Sequence, residues 1–457
     1  MKTSKIINFN MAFALALASS VVSAEMSAAD ISRLGKDLTP VGAEAAGNAD
    51  GSIPAWTGGL KSPADAGFAD FKSGGHHPDP YASDKPLFTI TAANMDQYGA
   101  KLTPGHKAML KTYASFSMNV YPSRRSAALP QKIYAATKKI AADAKLTADG
   151  NGLVNAVVGV PFPQPKNGLE AIFNHVVRYR GEHSIRNVGQ SPTLRSGDFT
   201  LVKLKDSTIS IYHDEKTDPA NNNLILKFKQ EISAPPRLAG TVLLVHETLN
   251  QKAEPRKAWI YNPGQRRVRR APNIAFDNPG TAADGLRTSD QLDMFNGSPE
   301  RYSWKLLGKK EMYVPYNSYK LHSNKLKYSD IIKPLHMNPE HLRYELHRVW
   351  VVDATLKEGT SHLYKRRTFY IDEDSWQILH VDQYDNRDQL WRVSEGHVIN
   401  YYDMPVLWTT LEVHHDLQSG RYLAVGLNNE EDFTVDFTTA VSPSDFTVSA
   451  LRRSGRR

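Results

Sequence analysis

The chain has 457 residues, of which 40% are hydrophobic and 23% charged, and its formal net charge is +8 at pH 7. This composition predicts a soluble globular protein with one large or two ordinary domains, and it disfavours a disordered chain. The sequence contains no cysteine, which excludes disulfides, thiol nucleophiles and thiolate metal sites. The small positive excess has two interpretations, a solvated surface or weak attraction to anionic lipid headgroups, and it does not favour nucleic acid.

Residues 1–24 have the pattern of a signal peptide. Lys2 and Lys5 precede an apolar run at 11–22, which is too short to span a bilayer, and small residues end at Ala24. We therefore expect an exported protein that matures near Glu25. A periplasmic location fits best, full secretion stays open, and the lack of cysteine excludes a lipid anchor at the mature N-terminus.

Residues 25–165 are predicted to form an irregular and helical N-terminal segment packed on the body of the protein. Glycine, proline and alanine dominate residues 38–59, where the glycines and prolines are too frequent for a long helix or strand. Helical patterns follow at 104–116 and 133–146. A further helix is predicted between Asn167 and Gly181, because apolar residues recur there at helical spacing.

Strand patterns dominate residues 166–450, which we predict to be one curved, mainly antiparallel β domain. A hairpin is expected at 199–213 around Lys205 and Asp206, two strands at 224–232 and 240–249, and another hairpin at 258–270. Later strands are expected at 304–307, 346–354, 408–415 and 421–425, and the basic tail 451–457 is expected to be loose.

The strand pattern breaks between residues 272 and 302. A short helix-like piece at 289–295 stands between two turn sequences there. Long insertions of this kind commonly act as lids. Leu292, Met294 and Phe295 are the predicted lid or plug residues.

Residues 364–393 predict a three-stranded meander, since aromatic and β-branched runs are separated by short clusters of aspartate, asparagine and serine. In the middle strand, Trp376, Ile378, His380 and Tyr384 share one parity, and Leu379 and Val381 lie on the other. Both faces are partly apolar. This pattern is typical of a curved sheet that is sheltered on both sides.

No motif predicts catalysis, a metal or a cofactor. His246 and Glu247 lack the second histidine of a zinc protease motif, and we interpret Asp382, Asp385 and Asp388 as turn-forming residues. His414 and His415 point to opposite faces of one strand, so they cannot bind one ion together. An active site of an unfamiliar kind stays open.

Aromatic and basic residues on the strands allow two interpretations each. The aromatic and apolar side chains are either plain core or the lining of a cavity, and the arginine doublets either protect edge strands or hold a headgroup at a cavity mouth. The predicted cavity lining comprises Trp259, Tyr261, Phe369, Ile371, Trp376, Ile378 and Trp391. The predicted headgroup-binding rim comprises Arg267, Arg269 and Arg367.

Five stretches together resemble the exported proteobacterial family DUF1329. They are residues 42–59, 167–175, 259–272, 290–299 and 365–374. The resemblance implies a fold like that of the Lol lipoprotein carriers. This fold is mainly β with helices (α+β), an incomplete and strongly curved antiparallel barrel plugged by helices around an apolar cavity. The N-terminal part is longer than in those carriers.

The resemblance implies a periplasmic carrier or chaperone for a hydrophobic ligand, a lipid, acyl chain or lipoprotein that moves towards the outer membrane. Relatives are often associated with inner-membrane transporters of the resistance-nodulation-division type, so such a partner and transient membrane contact are expected. We expect no catalysis. Two alternatives stay open, a non-carrying adaptor of that transporter and an exported hydrolase that uses His246 and Glu247.

Overall fold

The computed structural model describes residues 26–271 and 276–454. The predicted signal peptide and the end of the basic tail lie outside the described residues. Within the described ranges, no helix is both long and apolar enough to cross a membrane.

The described chain forms one sixteen-stranded sheet, a separate two-stranded sheet and short helices. The strands are β1 (Phe88–Ile90), β2 (Met118–Val120), β3 (Lys145–Leu146), β4 (Leu153–Val154), β5 (His183–Thr193), β6 (Val202–Ser210), β7 (Leu224–Ala234), β8 (Val242–Thr248), β9 (Lys257–Asn262), β10 (Arg267–Arg270), β11 (Tyr302–Pro315), β12 (Tyr344–Leu356), β13 (Arg366–Asp372), β14 (Ile378–Tyr384), β15 (Leu390–Tyr401), β16 (Val406–Asp416), β17 (Arg421–Leu427) and β18 (Val435–Asp436). The α-helices are α1 (Ala28–Arg33), α2 (Pro104–Thr112), α3 (Gln131–Ile140), α4 (Gly168–Val176), α5 (Tyr328–Ile331) and α6 (Val448–Ser454). The 3₁₀ helices are Met95–Lys101, Ser289–Met294, Pro299–Arg301, Tyr319–His322, Pro339–His341 and Pro443–Phe446.

The large sheet is open and almost wholly antiparallel. Its strand order is β1-β2-β12-β13-β14-β15-β16-β17-β5-β6-β7-β8-β9-β10, with β11 also paired to β12 and β18 to β5. The one parallel pairing among the described strands joins Val120 to Tyr344. Register shifts between β13 and β14, β14 and β15, and β15 and β16 are β-bulges, which bend and twist a sheet. The predicted fold class, an incomplete, curved and mainly antiparallel barrel with helices, is confirmed.

The predicted meander is β13, β14 and β15, and both faces of β14 are buried along its whole length. Neighbouring residues of β15 show how each face is covered. Gln291 donates a 3.5 Å hydrogen bond to Ser394, whereas His106 of α2 lies 3.1 Å from the carboxylate of Glu395 on the other face. The N-terminal segment thus shelters one face, and the 289–295 insertion shelters the other.

One predicted hairpin is wrong. Strand β6 runs straight through Lys205 and Asp206, where we expected a turn. Asp206 is buried and forms a 2.9 Å ion pair with Arg186 of β5, so it belongs to the interior of a ladder. Strand β5 itself was missed, because Gly189 and Pro192 interrupt its pattern.

The predicted helices are present in shorter form as α2, α3 and α4. Asn167 caps α4 by accepting a hydrogen bond from the backbone of Glu170, as its position predicts. The tail 451–457 was expected to be loose, but its residues up to Ser454 belong to helix α6 (448–454). Leu451 of this helix is buried with Leu244 and Tyr261, so the helix packs on β8 and β9.

Candidate functional site

A pocket lies behind the insertion that interrupts the strands. We call residues 289–296 the plug segment and the cavity behind it the plug pocket. Strands β5, β6 and β7 form one side of this pocket, β16 and β17 form another, and the plug segment closes the space between them. The volume is about 70 Å³. The apolar lining comprises Ile225, Leu226, Phe228, Leu292, Trp408 and Val425.

The plug pocket also has a charged side. Its guanidinium groups belong to Arg178, Arg180 and Arg186, and its carboxylates belong to Glu247, Asp293 and Glu412. The pocket therefore combines an apolar wall with charges of both signs, which suits a ligand that has an apolar part and a polar part.

Asp293 fixes the plug segment in place. Its carboxylate accepts a 2.5 Å hydrogen bond from Arg178, a second bond from Arg180 and a 3.0 Å bond from the indole nitrogen of Trp408. The ring of His175 lies 3.0 Å from the Asp293 carbonyl oxygen. Burial alone would raise the pKa of Asp293, but the two guanidinium groups outweigh it and hold this pKa below its usual range.

Three polar atoms of pocket-lining residues are buried without a hydrogen-bond partner among the described residues. They are Nε2 of His183, Nε2 of His213 and Oε2 of Glu412. Burial lowers the pKa of His213 to about 3, with help from Arg180 and Lys132, so this ring is neutral at pH 7. A ligand with hydrogen-bonding groups could satisfy these atoms, since unpaired buried polar groups are costly.

The three predicted plug residues lie on the inner side of the insertion. Leu292 lines the plug pocket. Met294 and Phe295 are buried in the main core, where the Phe295 ring centre lies 5.5 Å from that of Phe369. Asp293 and Met294 both have positive φ, 57° and 68°, so the backbone turns sharply where these side chains enter the core.

Four residues of the predicted cavity lining come together in that same core. Phe369, Ile371, Trp376 and Ile378 are fully buried there and make no part of the plug pocket wall. The ring of Trp376 stacks on Trp350 with centres 6.2 Å apart. These side chains fill the sheltered face of the sheet, and their role in ligand binding stays a prediction.

The other three predicted lining residues lie elsewhere. Trp259 and Tyr261 of β9 pack with Phe446 and the last helix, at the far end of the sheet. Trp391 lies at the start of β15, where its indole donates a 3.1 Å hydrogen bond to Asp416. The sheet order separates these positions, which sequence spacing alone could not show.

The three predicted rim arginines do not form one rim. Arg267 and Arg269 are exposed on the end strand β10. Arg367 is buried in β13, where it donates a 2.8 Å hydrogen bond to Asp290 and lies over aromatic rings. Strands β10 and β13 are far apart in the sheet order, and a role of these arginines in headgroup binding stays a prediction.

His246 and Glu247 do not act as a pair. His246 is half-buried with its Nε2 2.8 Å from the carbonyl oxygen of Phe446, whereas Glu247 forms a buried 2.6 Å ion pair with Arg256. The two side chains leave β8 on opposite faces. This geometry does not favour the hydrolase alternative.

The residues that build the pocket were mostly missed. None of Arg178, Arg180 and Asp293 is among the site residues predicted from the sequence. The signal in the sequence is an aspartate between two apolar plug residues, Leu292 and Met294. A charge in an otherwise buried run needs a buried partner.

Comparisons with known proteins place this architecture in a family. The model of the family described as "Protein of unknown function (DUF1329)" matches residues 89–452. The uncharacterized protein PA3922 of Pseudomonas aeruginosa is 53% identical over 463 residues, a match that covers all of both chains.

Solved structures show a weaker similarity. A domain assigned to outer membrane lipoprotein sorting from Vibrio parahaemolyticus is 15% identical with a TM-score of 0.43, covering 63% of this chain and 98% of that one. A DUF1329 family protein from Desulfovibrio piger is 16% identical with a TM-score of 0.41, covering 63% and 100%. The LolA superfamily protein NE2245 from Nitrosomonas europaea is 12% identical with a TM-score of 0.37, covering 63% and 100%. From the family model and the Pseudomonas relative together, the chain belongs to the DUF1329 family of proteins of unknown function.

Proposed function

We propose that this protein is a periplasmic carrier or chaperone for a hydrophobic ligand, with the plug pocket as the place where the ligand enters. The observation that carries the proposal is the plug pocket itself. It joins an apolar wall to a charged edge and lies behind a segment that polar contacts hold in place.

The ligand needs the plug segment to move. Pockets that hold small molecules have volumes of about 300–1,000 Å³, whereas the plug pocket has about 70 Å³. Leu292, Met294 and Phe295 fill apolar space beside it, and an acyl chain could take their place. Burial of the chain would contribute about 25 cal/mol for each Å² of apolar surface.

The plug segment has features of a movable element. Asp293 and Met294 adopt a left-handed conformation that costs roughly 1–2 kcal/mol for a residue with a side chain. The ion pairs of Asp293 with Arg178 and Arg180 offset this cost in the closed form. A ligand carboxylate or phosphate could compete for the same guanidinium groups, which couples binding to opening.

Ligand extraction is the direct test. The mature protein is purified without detergent, extracted with organic solvent and examined by mass spectrometry, and binding of a fluorescent fatty acid is titrated. We expect a co-purifying lipid and saturable binding. Clean protein without measurable binding would overturn the proposal.

A pocket-filling variant makes the test specific to the site. Val425→Phe places a ring in the plug pocket, so we expect at least a tenfold loss of affinity for the fluorescent acid. The matched control is Val268→Phe, because Val268 is also a partly exposed strand valine but lies on β10, outside the pocket. Equal affinity in the two variants would place binding elsewhere.

The adaptor alternative has two observations in its favour. Side chains fill the sheltered face of the sheet, and Leu194 and Phe199 are exposed beside an open groove that also contains Leu238. An adaptor carries no ligand, so the extraction experiment separates the two functions.

A further inference from the structure

A second polar cluster lies on the opposite face of the sheet from the plug pocket. His106 of α2, His380 of β14 and Glu395 of β15 meet there, and all three side chains are buried. One ligand-type atom from each lies within 4.8 Å of the others. The cluster contributes nothing to the plug pocket wall.

Neighbouring groups hold these side chains in place. The Nε2 atom of His106 lies 3.1 Å from Oε1 of Glu395, which also accepts a 3.0 Å hydrogen bond from the Tyr344 hydroxyl. The Nε2 atom of His380 lies 2.8 Å from Oδ1 of Asp382. The Nδ1 atoms of His106 and His380 are buried and have no hydrogen-bond partner within the described ranges.

The first turn of α2 approaches the cluster closely. The backbone of Gly105 donates a 2.9 Å hydrogen bond to Asp382. A Cβ atom at Gly105 would lie 2.2 Å from that carboxylate oxygen, so only glycine fits. The N-terminal segment is therefore shaped to bring His106 onto the sheet.

The two carboxylates of the cluster are paired with histidines, which carry a positive charge only when they are protonated. The ion-pair partners of Glu395 are His106 and His415, and the partner of Asp382 is His380. No arginine or lysine pairs with either carboxylate in the described part of the chain. Charges buried this deeply need a partner of opposite sign or a metal ion.

A second cluster of possible metal ligands in the sheet differs from the first in the charges of its partners. His347, Asp372 and Asp374 also lie within ligand distance of one another. There, Arg125 forms a 2.7 Å ion pair with Asp374, and Arg348 pairs with the adjacent Glu373. Guanidinium groups thus supply a permanent positive charge there, whereas the carboxylates of the first cluster are paired with histidines.

We propose that His106, His380 and Glu395 bind a divalent ion of the zinc class. Two imidazole nitrogens and one carboxylate oxygen are a ligand set that zinc prefers. The contact between Asp382 and His380 is the carboxylate partner that metal-bound histidines usually have. Asp382 and Tyr344 are positioning residues.

The ion would lock the N-terminal segment onto the sheet. Ligands of a tetrahedral zinc ion at about 2.0 Å lie about 3.3 Å from one another, so the three side chains need only small movements. The ligands come from α2, β14 and β15, and a buried site of this kind takes up its ion during folding. Spacing in the sequence could not indicate this site, because His106 and Glu395 are 289 positions apart.

Metal analysis of the purified protein tests the proposal. The full mature chain is purified without a histidine tag, and its metal content is measured by inductively coupled plasma mass spectrometry. We expect about one ion per chain. His106→Gln and His380→Gln should lose the ion, whereas the control His347→Gln should keep it.

A refolding experiment covers variants that fail to fold. The wild-type chain is unfolded in chelator and refolded with or without Zn²⁺, Mn²⁺ or Fe²⁺. We expect one of these ions to raise the thermal unfolding midpoint, and the rise to be absent in Glu395→Gln. A metal-free wild type whose midpoint none of these ions changes would overturn the proposal, as would an ion retained by His106→Gln.

Discussion

Arg367 donates a 2.8 Å hydrogen bond to Asp290, and neither side chain reaches solvent. The ring centre of Tyr302 lies 4.5 Å from this guanidinium group, and that of Phe295 lies 5.1 Å from it. Arg367 therefore ties strand β13 to the plug segment from inside the core.

Arg367→Ala should destabilise the protein by about 3–5 kcal/mol, because it leaves Asp290 buried without its guanidinium partner. Arg267→Ala is the control, and at its exposed position on β10 we expect a change within about 0.5 kcal/mol. Urea unfolding followed by circular dichroism measures both. A stable Arg367→Ala protein that has lost affinity for anionic lipid would instead support a headgroup role.

Asp293→Asn should loosen the plug segment, because it removes the charge that pairs with Arg178 and Arg180. We expect faster hydrogen exchange in residues 289–296 and faster uptake of the fluorescent acid. Asp214→Asn, at an exposed position near the same strands, should change neither rate. Unchanged exchange in Asp293→Asn would show that apolar packing alone holds the plug.

His213 should make the protein less stable in acid. Its pKa is lowered to about 3 from an ordinary value of 6.5, so the unfolded chain binds a proton that the folded protein excludes. This contribution is complete above pH 6.5 and is lost as the pH falls towards 3, by about 1.4 kcal/mol per pH unit. In His213→Gln, the free energy of unfolding measured from pH 7 to pH 5 should fall less steeply. Identical slopes would contradict a buried neutral ring.

Asp372 should act in the opposite direction. Burial, with the charge of Asp374, raises its pKa to about 7, so the folded protein holds a proton that the unfolded chain loses near pH 4. Stability from this group is therefore lost as the pH rises from about 4 to 7. The free energy of unfolding of Asp372→Asn, relative to that of the wild type, should therefore be higher at pH 8 than at pH 5. Chemical unfolding at the two pH values measures this, and a constant difference would exclude the raised pKa.

A chain that begins at residue 166 should not fold alone. The N-terminal segment supplies Arg125, which pairs with Asp374 at 2.7 Å, and the carbonyl of Val41, which accepts a 3.2 Å hydrogen bond from Trp376. Without the N-terminal segment, Asp374 and Trp376 lose these partners, and one face of β14 is exposed to solvent. We expect aggregation or dye binding typical of exposed apolar surface. A soluble fragment with cooperative unfolding would establish two independent domains.

Local patterns predicted the elements whose signals are local. The hairpin at 258–270 and the meander at 364–393 have strong turn residues between alternating strands, and both are present. Lys205 and Asp206 were predicted to form a turn because both are polar. Asp206 is instead buried inside a strand, where it pairs with Arg186, twenty residues earlier, and local sequence does not show this partner. Arg367 was predicted at a headgroup-binding rim because nothing near it in the sequence indicates its partner Asp290, which belongs to another element. Sites made by distant charges could not be predicted from spacing.

Ser394 and Glu395 are neighbours in β15, yet their side chains lie on opposite faces of the sheet. Ser394 contacts Gln291 of the plug segment, and Glu395 contacts His106 of α2. A displacement of β15 at this point moves both side chains at once, because neighbouring residues of a strand share one backbone. Communication between the two sides therefore requires no relay of intervening side chains. A spectroscopic label near His106 would report motion of the plug from the other side of the sheet.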